Sequence, residues 1–286
     1  MVLPMTSYQE KYNMSMELRG FAENTKKLYL EHLERFIKFS RKSPEACDYD
    51  DVRSFLLNAI KVRKLSHSYI NSAYSAIKFY FETTLCREWN MKHIPRLKSR
   101  SFLPEILTRE EVNQILAATD NLKHKAILTV IYSAGLRVNE AVHLKIADID
   151  SPNMRIHIRQ GKGFKDRNSI LSEITLFLLR DYYRKYRPKE WLFPGIDPTK
   201  PLHARTPQVV FHESVKRVGI TKKVSIHSLR HAFATHLLNQ ETPLLMIQEL
   251  LGHADINTTA KYIHLTNAQV RGVKSPLDHP EGNPND

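Results

Sequence analysis

The 286-residue chain carries 43 Lys and Arg against 30 Asp and Glu, a formal net charge of +13. That excess favours a polyanionic partner, because each cation set beside a nucleic-acid phosphate releases condensed counterions. No apolar stretch approaches the roughly 20 residues of a bilayer span, the start MVLPMTSYQEKYNM lacks the segments of a secretory leader, and Cys47 and Cys86 alone build no disulfide framework. A cytoplasmic protein of two domains, with no membrane partner, is the expectation.

The first hundred residues read as short helices joined by polar turns. Asn24 or Thr25 caps a segment in which Leu28, Leu33, Phe36 and Ile37 recur at helical spacing. A further helix starts near Asp50. After Ser66, the residues Ile70, Ala73, Tyr74, Ile77, Tyr80 and Phe81 form one wide apolar stripe, so this part predicts a small helical bundle. Residues 92–104, KHIPRLKSRSFLP, are basic, hold two Pro and lack helical periodicity, as an extended linker would. The expected domains are therefore a helical one over 1–97, a basic linker over 98–106 and a second domain over 107–286.

The second domain opens on Thr108 and Glu111 in capping-box relation. Helices follow through Leu116 and from Lys123 to Ala134. Between Met154 and Leu171 the period changes to two: Met154, Ile156 and Ile158 alternate with Arg155, His157 and Arg159, Gly161 to Gly163 make a turn, and Ile170 and Leu171 resume. This predicts a β-hairpin inside a mainly α domain. Helical signals return from Leu176, with a loop from Pro194 to Pro207, and the Pro-containing end from Lys274 reads as disordered.

Several polar clusters are open to more than one reading. In YSAGLRVNEAVHL, Glu140 follows Arg137 by one helical turn and can hold its guanidinium, as would any surface ion pair at that spacing. In HSLRHAFATHLL, His227 and Arg230 share a face; His227, His231 and His236 also stand at spacings that suit a metal site, although no HExxH pattern is present. In LLGHADINTTAKYIH, Gly252 and His253 end one helix, Asp255 or Asn257 can cap the next, and Tyr262 follows. The hairpin stretch QGKGFKDR offers Lys162, Lys165 and Arg167 but is not a P-loop, which needs GxxxxGK[ST] opening a helix.

Together, AGLRVNEAVHL, GKGFKDR, HSLRHAFATHLL and LGHADINTTAKYIH resemble, in order and separation, the motifs of the tyrosine recombinase or phage integrase family, and most of all its Xer-like bacterial members. The resemblance spans about residues 107–266. It implies that Arg137 and Arg230 are paired catalytic arginines, His227 and His253 the two histidines, Lys162 the hairpin lysine (with Lys165 on the same turn as the other candidate), Tyr262 the nucleophile and Glu140 a supporting acid. Two guanidiniums suit the charge that develops on a phosphodiester under attack. A tyrosine with a pKa near 10 needs activation, in which His227 would assist, and an ammonium can protonate the leaving 5'-oxygen. His253 would donate to the phosphate, and a covalent 3'-phosphotyrosine conserves the bond energy, so neither metal nor other cofactor is implied.

The resemblance further implies a two-domain DNA clamp of a helical, SAM-like core-binding domain and a mainly α catalytic domain with a small β-sheet or hairpin. Arg96, Lys98, Arg100, Lys165 and Arg167 would bind DNA. The partner would be double-stranded DNA with a specific recombination site, held by a homo-tetramer on two sites, with HLTNAQVRGVKS after Tyr262 resembling a tail packed on a neighbouring subunit. Integration or excision of a mobile element, cointegrate resolution and chromosome-dimer resolution all suit these residues. A type IB topoisomerase, a catalytically silent DNA-binding regulator and a metal-dependent nuclease are the alternatives.

Overall fold

Side-chain caps and apolar stripes set where the helices begin and which faces they bury. The computed structural model describes residues 7–90, 92–98, 105–159, 166–253, 255–260 and 262. The chain divides into two compact units, Met1–Phe102 and Leu103–Asp286.

The first unit is all helical: α1 (Ser7–Glu17), α2 (Glu23–Ser40), α3 (Tyr49–Leu57), which runs on into a π turn at Asn58–Val62, and α4 (His67–Thr83). Helix α2 starts just before the expected Asn24 or Thr25 cap: Ala22 is its N-cap and Glu23 puts a carboxylate in its positive first turn. Helix α3 opens on Asp48, whose carboxylate accepts from the Asp50 and Asp51 backbone N–H groups. The α4 stripe is buried as read from sequence, and with Leu33 and Phe36 of α2 it forms an aromatic-rich core that also takes in Trp89 and Ile94. Ile94 thus ties the start of the basic stretch to this unit, while Arg96 and Lys98 are exposed.

The second unit opens on the Thr108–Glu111 capping box, now seen in both directions, at the head of α5 (Arg109–Ala117). Helix α6 (Leu122–Ser133) is buried over the run Ala126–Ile131, which makes it the central rod of the domain. A short α7 (Val138–Val142) leads to an antiparallel three-stranded sheet in the order β1 (Ile149–Asp150), β2 (Arg155–Ile158), β3 (Arg167–Ile170). The hairpin expected from alternation is therefore present, widened by β1, which at two residues is too short to show a period. Its Gly161–Gly163 turn lies outside the described residues.

Around these pack α8 (Glu173–Tyr186), α9 (Arg205–Arg217), α10 (His227–Leu238), α11 (Leu244–Leu251) and α12 (Ile256–Ala260). Pro207 falls inside the first turn of α9, where a missing N–H costs nothing, and not in the loop before it. The mainly α class with one small sheet is as expected, and among the described residues no helix is long and apolar enough to cross a membrane. The tail after Tyr262 lies outside the described residues.

Candidate active site

Strand β3 inverts the simple hydrophobic pattern. Its register sets Arg167 opposite Ile158 and Ser169 opposite Ile156, and those two isoleucines are buried. Period-2 geometry then turns Arg167 and Ser169 inwards and leaves Ile170 40% exposed. Ser169 repays its burial by donating to the Ala134 carbonyl at 2.7 Å. Arg167 reaches Glu140 with a two-pronged contact, Nη1 to Oε1 at 2.9 Å and Nη2 to Oε2 at 2.8 Å, and donates through Nε to the Leu250 carbonyl.

Glu140 is the hub of the site. Besides Arg167 it accepts from the Arg137 backbone N–H at 2.8 Å and the Arg137 guanidinium at 2.7 Å, and Arg230 Nη1 lies 3.9 Å from Oε2. Burial alone would raise its pKa, but hydrogen bonds and charge from Arg167, with the hydrogen bonds from Arg137, hold it at about 2. The carboxylate is therefore charged throughout the physiological range. The Arg137–Glu140 pair read from sequence is part of a buried network and not a surface decoration.

Arg230 is 1% exposed, which an arginine tolerates only with its donors satisfied. It donates to the Gly135 carbonyl at 2.6 Å, the Leu251 carbonyl at 2.7 Å and His253 Nε2 at 3.0 Å. Burial and the neighbouring Arg137 bring its pKa down to about 9, so it remains charged at neutral pH. Two glycines make this possible. Gly135 sits at φ +61°, and an added Cβ would lie 2.4 Å from Phe233 Cδ1; Gly252 caps α11 at φ +62°, and an added Cβ would lie 2.7 Å from Arg167 Cδ.

His253 follows Gly252 directly. Because Arg230 can only donate to its Nε2, the neutral ring carries its proton on Nδ1, which donates to Thr259 Oγ1 at 2.9 Å. Burial and Arg230 lower the His253 pKa to about 4, consistent with a neutral ring. The His253 ring lies nearly parallel to that of Tyr262, 9° between planes and 6.5 Å between centroids. Tyr262 is 4% exposed, and its hydroxyl is 2.9 Å from His231 Nδ1. Burial raises its pKa while Arg230 and Arg137 pull against that rise, so the resting group is a phenol.

The structure thus brings together Arg137, Glu140, Arg230, His253 and Tyr262, with His227 at the start of α10 and its ring edge-on to His231 at 4.6 Å. Burial, then Arg230 and Arg137, lower the His227 pKa. Lys162, Lys165 and Arg100 lie outside the described residues. Arg167, expected on a DNA-facing surface, instead has its guanidinium turned into the hub. The three histidines that could have formed a metal site diverge: His231 meets Tyr262, and His236 Nδ1 is 2.9 Å from the Tyr132 hydroxyl. Sequence reasoning weighed His231 only as a metal ligand, and missed its contact with Tyr262, Thr259 and the inward role of Arg167. Only the last had a usable signal, its two-residue offset from Ser169 on one strand.

A model of the phage integrase family matches residues 105–269, and one of the phage integrase N-terminal SAM-like domain matches residues 9–91. The chain is 39% identical over 277 residues to a "Putative integrase/recombinase" of Sinorhizobium fredii, covering 96% of this chain and 90% of that one. It is 34% identical over 268 residues to the tyrosine recombinase XerA of Pyrococcus horikoshii, covering 92% and 90%. Among solved structures, the XerH site-specific recombinase bound to a palindromic difH substrate, a post-cleavage complex, shares the fold with a TM-score of 0.73 at 22% identity, covering 96% of this chain and 86% of that one.

Proposed function

This chain belongs to the phage integrase family and is a tyrosine recombinase, and from that premise we propose that it cuts and rejoins double-stranded DNA at a specific recombination site through Tyr262. The observation that carries this reading is the linked set in which Arg137 and Arg230 flank one buried carboxylate, Arg230 donates to His253 and His253 stacks on Tyr262. Among the described residues, Arg137 spends one guanidinium donor on Glu140 and Arg230 spends three on protein acceptors, so both have donors to offer a ligand. Two fixed guanidiniums offered to one nonbridging-oxygen pair stabilise the charge that grows there as the phosphate becomes five-coordinate.

Tyr262 attacks the scissile phosphorus and leaves a 3'-phosphotyrosine, whose bond energy a 5'-hydroxyl later reuses. Lys162, or Lys165 on the same turn, protonates the leaving 5'-oxygen. His253, expected to donate to the phosphate, has both ring nitrogens engaged by Arg230 and Thr259 here and so orients Arg230 for the phosphate instead. The charge stabilisation that a metal would give comes from the arginines, so the reaction proceeds with no cofactor.

The reading extends to the rest of the chain. Residues 1–97 form the core-binding domain, 98–106 a basic linker and 107–286 the catalytic domain with its tail. Arg96, Lys98 and Arg100 contact the DNA backbone, and four copies act on two sites in the cytoplasm. The DNA-bound XerH relative supports a duplex partner. The reaction serves integration, excision or cointegrate resolution of a mobile element, or chromosome-dimer resolution.

The test uses a nicked suicide duplex whose site is first selected from random-sequence DNA by specific binding to the protein. In EDTA, the wild type should form a denaturation-resistant protein–DNA adduct and Tyr262→Phe should form none. An adduct formed equally by Tyr262→Phe, or one abolished by EDTA, would refute the assignment.

A further inference from the structure

Attack by a phenol requires somewhere for its proton to go, and the geometry around Tyr262 limits the choice. His227, the histidine that the family resemblance puts forward, makes no hydrogen bond to Tyr262 among the described residues; its ring packs edge-on against His231. His253 stacks on Tyr262 but gives Nε2 to Arg230 and its Nδ1 proton to Thr259. His231, one helical turn after His227 on α10, has its Nδ1 at 2.9 Å from the Tyr262 hydroxyl.

We propose that His231 is a catalytic residue of this recombinase: its Nδ1 takes the Tyr262 proton as the phenol oxygen attacks. This rests on Tyr262 being the nucleophile. In the step, the O–H bond of Tyr262 breaks and its proton goes to His231 Nδ1, giving an imidazolium. The freed electron pair forms the oxygen–phosphorus bond. The bond from phosphorus to the 5'-oxygen breaks with its pair on oxygen, which takes a proton from the hairpin lysine. Rejoining runs these transfers backwards, with the departing phenolate oxygen recovering its proton from His231, so nothing is consumed.

The surroundings suit an acceptor. The charged and titratable groups facing the pair are His227 and Arg230 on α10, Arg137 at the start of α7 and His253 after α11. Burial, with His227 and Arg230, lowers the His231 pKa to about 4, so its ring is neutral at pH 7 and can present a lone pair at Nδ1 with the proton on Nε2. A weak base suffices because bonding to phosphorus strips the phenol oxygen of its basicity, and transfer is concerted with attack.

The experiment compares His231→Asn, His231→Ala, His227→Ala and Lys162→Ala in single-turnover cleavage of the suicide duplex, with site-specific binding measured in parallel. Asparagine can place an amide oxygen near the position of Nδ1 and accept the tyrosine hydrogen bond, but it cannot take the proton. Both His231 variants should bind the site normally and cleave about 10²–10⁴-fold slower. Raising the pH should restore part of their rate as phenolate forms unaided. A 5'-bridging phosphorothiolate, whose sulfur leaves without protonation, should rescue Lys162→Ala but neither His231 variant.

Wild-type cleavage by His231→Asn would reduce His231 to a positioning residue and overturn the proposal, as would rescue by the phosphorothiolate or a defect confined to His227→Ala. Loss of site-specific binding in both His231 variants would assign the residue a structural role and equally overturn it. An adduct formed by Tyr262→Phe would instead remove the nucleophile on which the proposal stands, so the two failures are distinguishable.

Discussion

Replacing Glu140 by Gln should destabilise the second unit by about 3 kcal/mol at pH 7 while preserving side-chain shape. The carboxyl is 7% exposed, and its pKa falls from 4.5 to about 2 through Arg167 and Arg137, against the opposing effect of burial. A shift of about 2.5 units at 1.36 kcal/mol each gives ~3.4 kcal/mol. A depressed folded pKa means that this stability is fully present above the unfolded value and is lost as pH falls through the folded one. The window is therefore pH 4.5 to 2, and at pH 3.5 about 2 kcal/mol should remain. Urea unfolding followed through Trp191, in a Trp89→Phe background so that only the second unit reports, would measure the difference between Glu140 and Gln at both pH values. A difference below about 1 kcal/mol at pH 7, or one that does not shrink at pH 3.5, would show that the three arginines do not depend on this charge. Because Gln would also turn N–H groups towards guanidiniums, cleavage should fall further than stability.

Gly135→Ala places a Cβ 2.4 Å from Phe233 at a φ of +61° and disturbs the carbonyl that receives Arg230; urea unfolding should show a loss of about 2–4 kcal/mol from overpacking and backbone strain, and a loss under ~1 kcal/mol counts against the reading. Arg167→Ala should slow cleavage yet leave the salt dependence of DNA binding unchanged, whereas a decrease of about 0.9 in the log–log slope would restore Arg167 as a phosphate contact. Thr259→Val strands the His253 Nδ1 proton without its acceptor, at about 1–3 kcal/mol, and should slow cleavage, while Thr259→Ser should not; equal rates for the two variants would dismiss this contact.

Much of the fold was legible in the sequence because its signals are local. Thr108 and Glu111 announce α5 within four residues, the α4 stripe repeats over four turns, and Ile156 with Ile158 marks β2 by alternation. The family motifs named Arg137, Glu140, Arg230, His253 and Tyr262, which the structure places together. What was illegible depends on pairing between distant segments. Two residues of β1 carry no period. Hydrophobicity marks Ile170 as part of the hairpin but not which way it faces; it faces out, because the polar partners that draw Ser169 and Arg167 inwards, Ala134 and Glu140, lie about thirty residues upstream.

The same limit explains why the sequence casts Arg167 as a DNA contact and His231 as a possible metal ligand, whereas the structure turns one to Glu140 and the other to Tyr262. Three guanidiniums crowded into a buried space repel one another, so Arg137 and Arg230 can wait there for a phosphate only if an anion is already present. Glu140 is that anion, and Arg167, donating to both of its oxygens, fixes its position. Arg167 also donates to Leu250, next to Leu251, whose carbonyl receives Arg230, and two residues before the glycine that precedes His253. One side chain thus joins β3, α7 and α11 beside Arg137 at the head of α7, His253 after α11, and Arg230, which comes from α10 and is held by the Leu251 carbonyl of α11. A charge on a basic hairpin reads as a DNA contact when the hairpin is considered alone; it becomes the brace of Arg137 and Arg230 only when the carboxylate it meets is known.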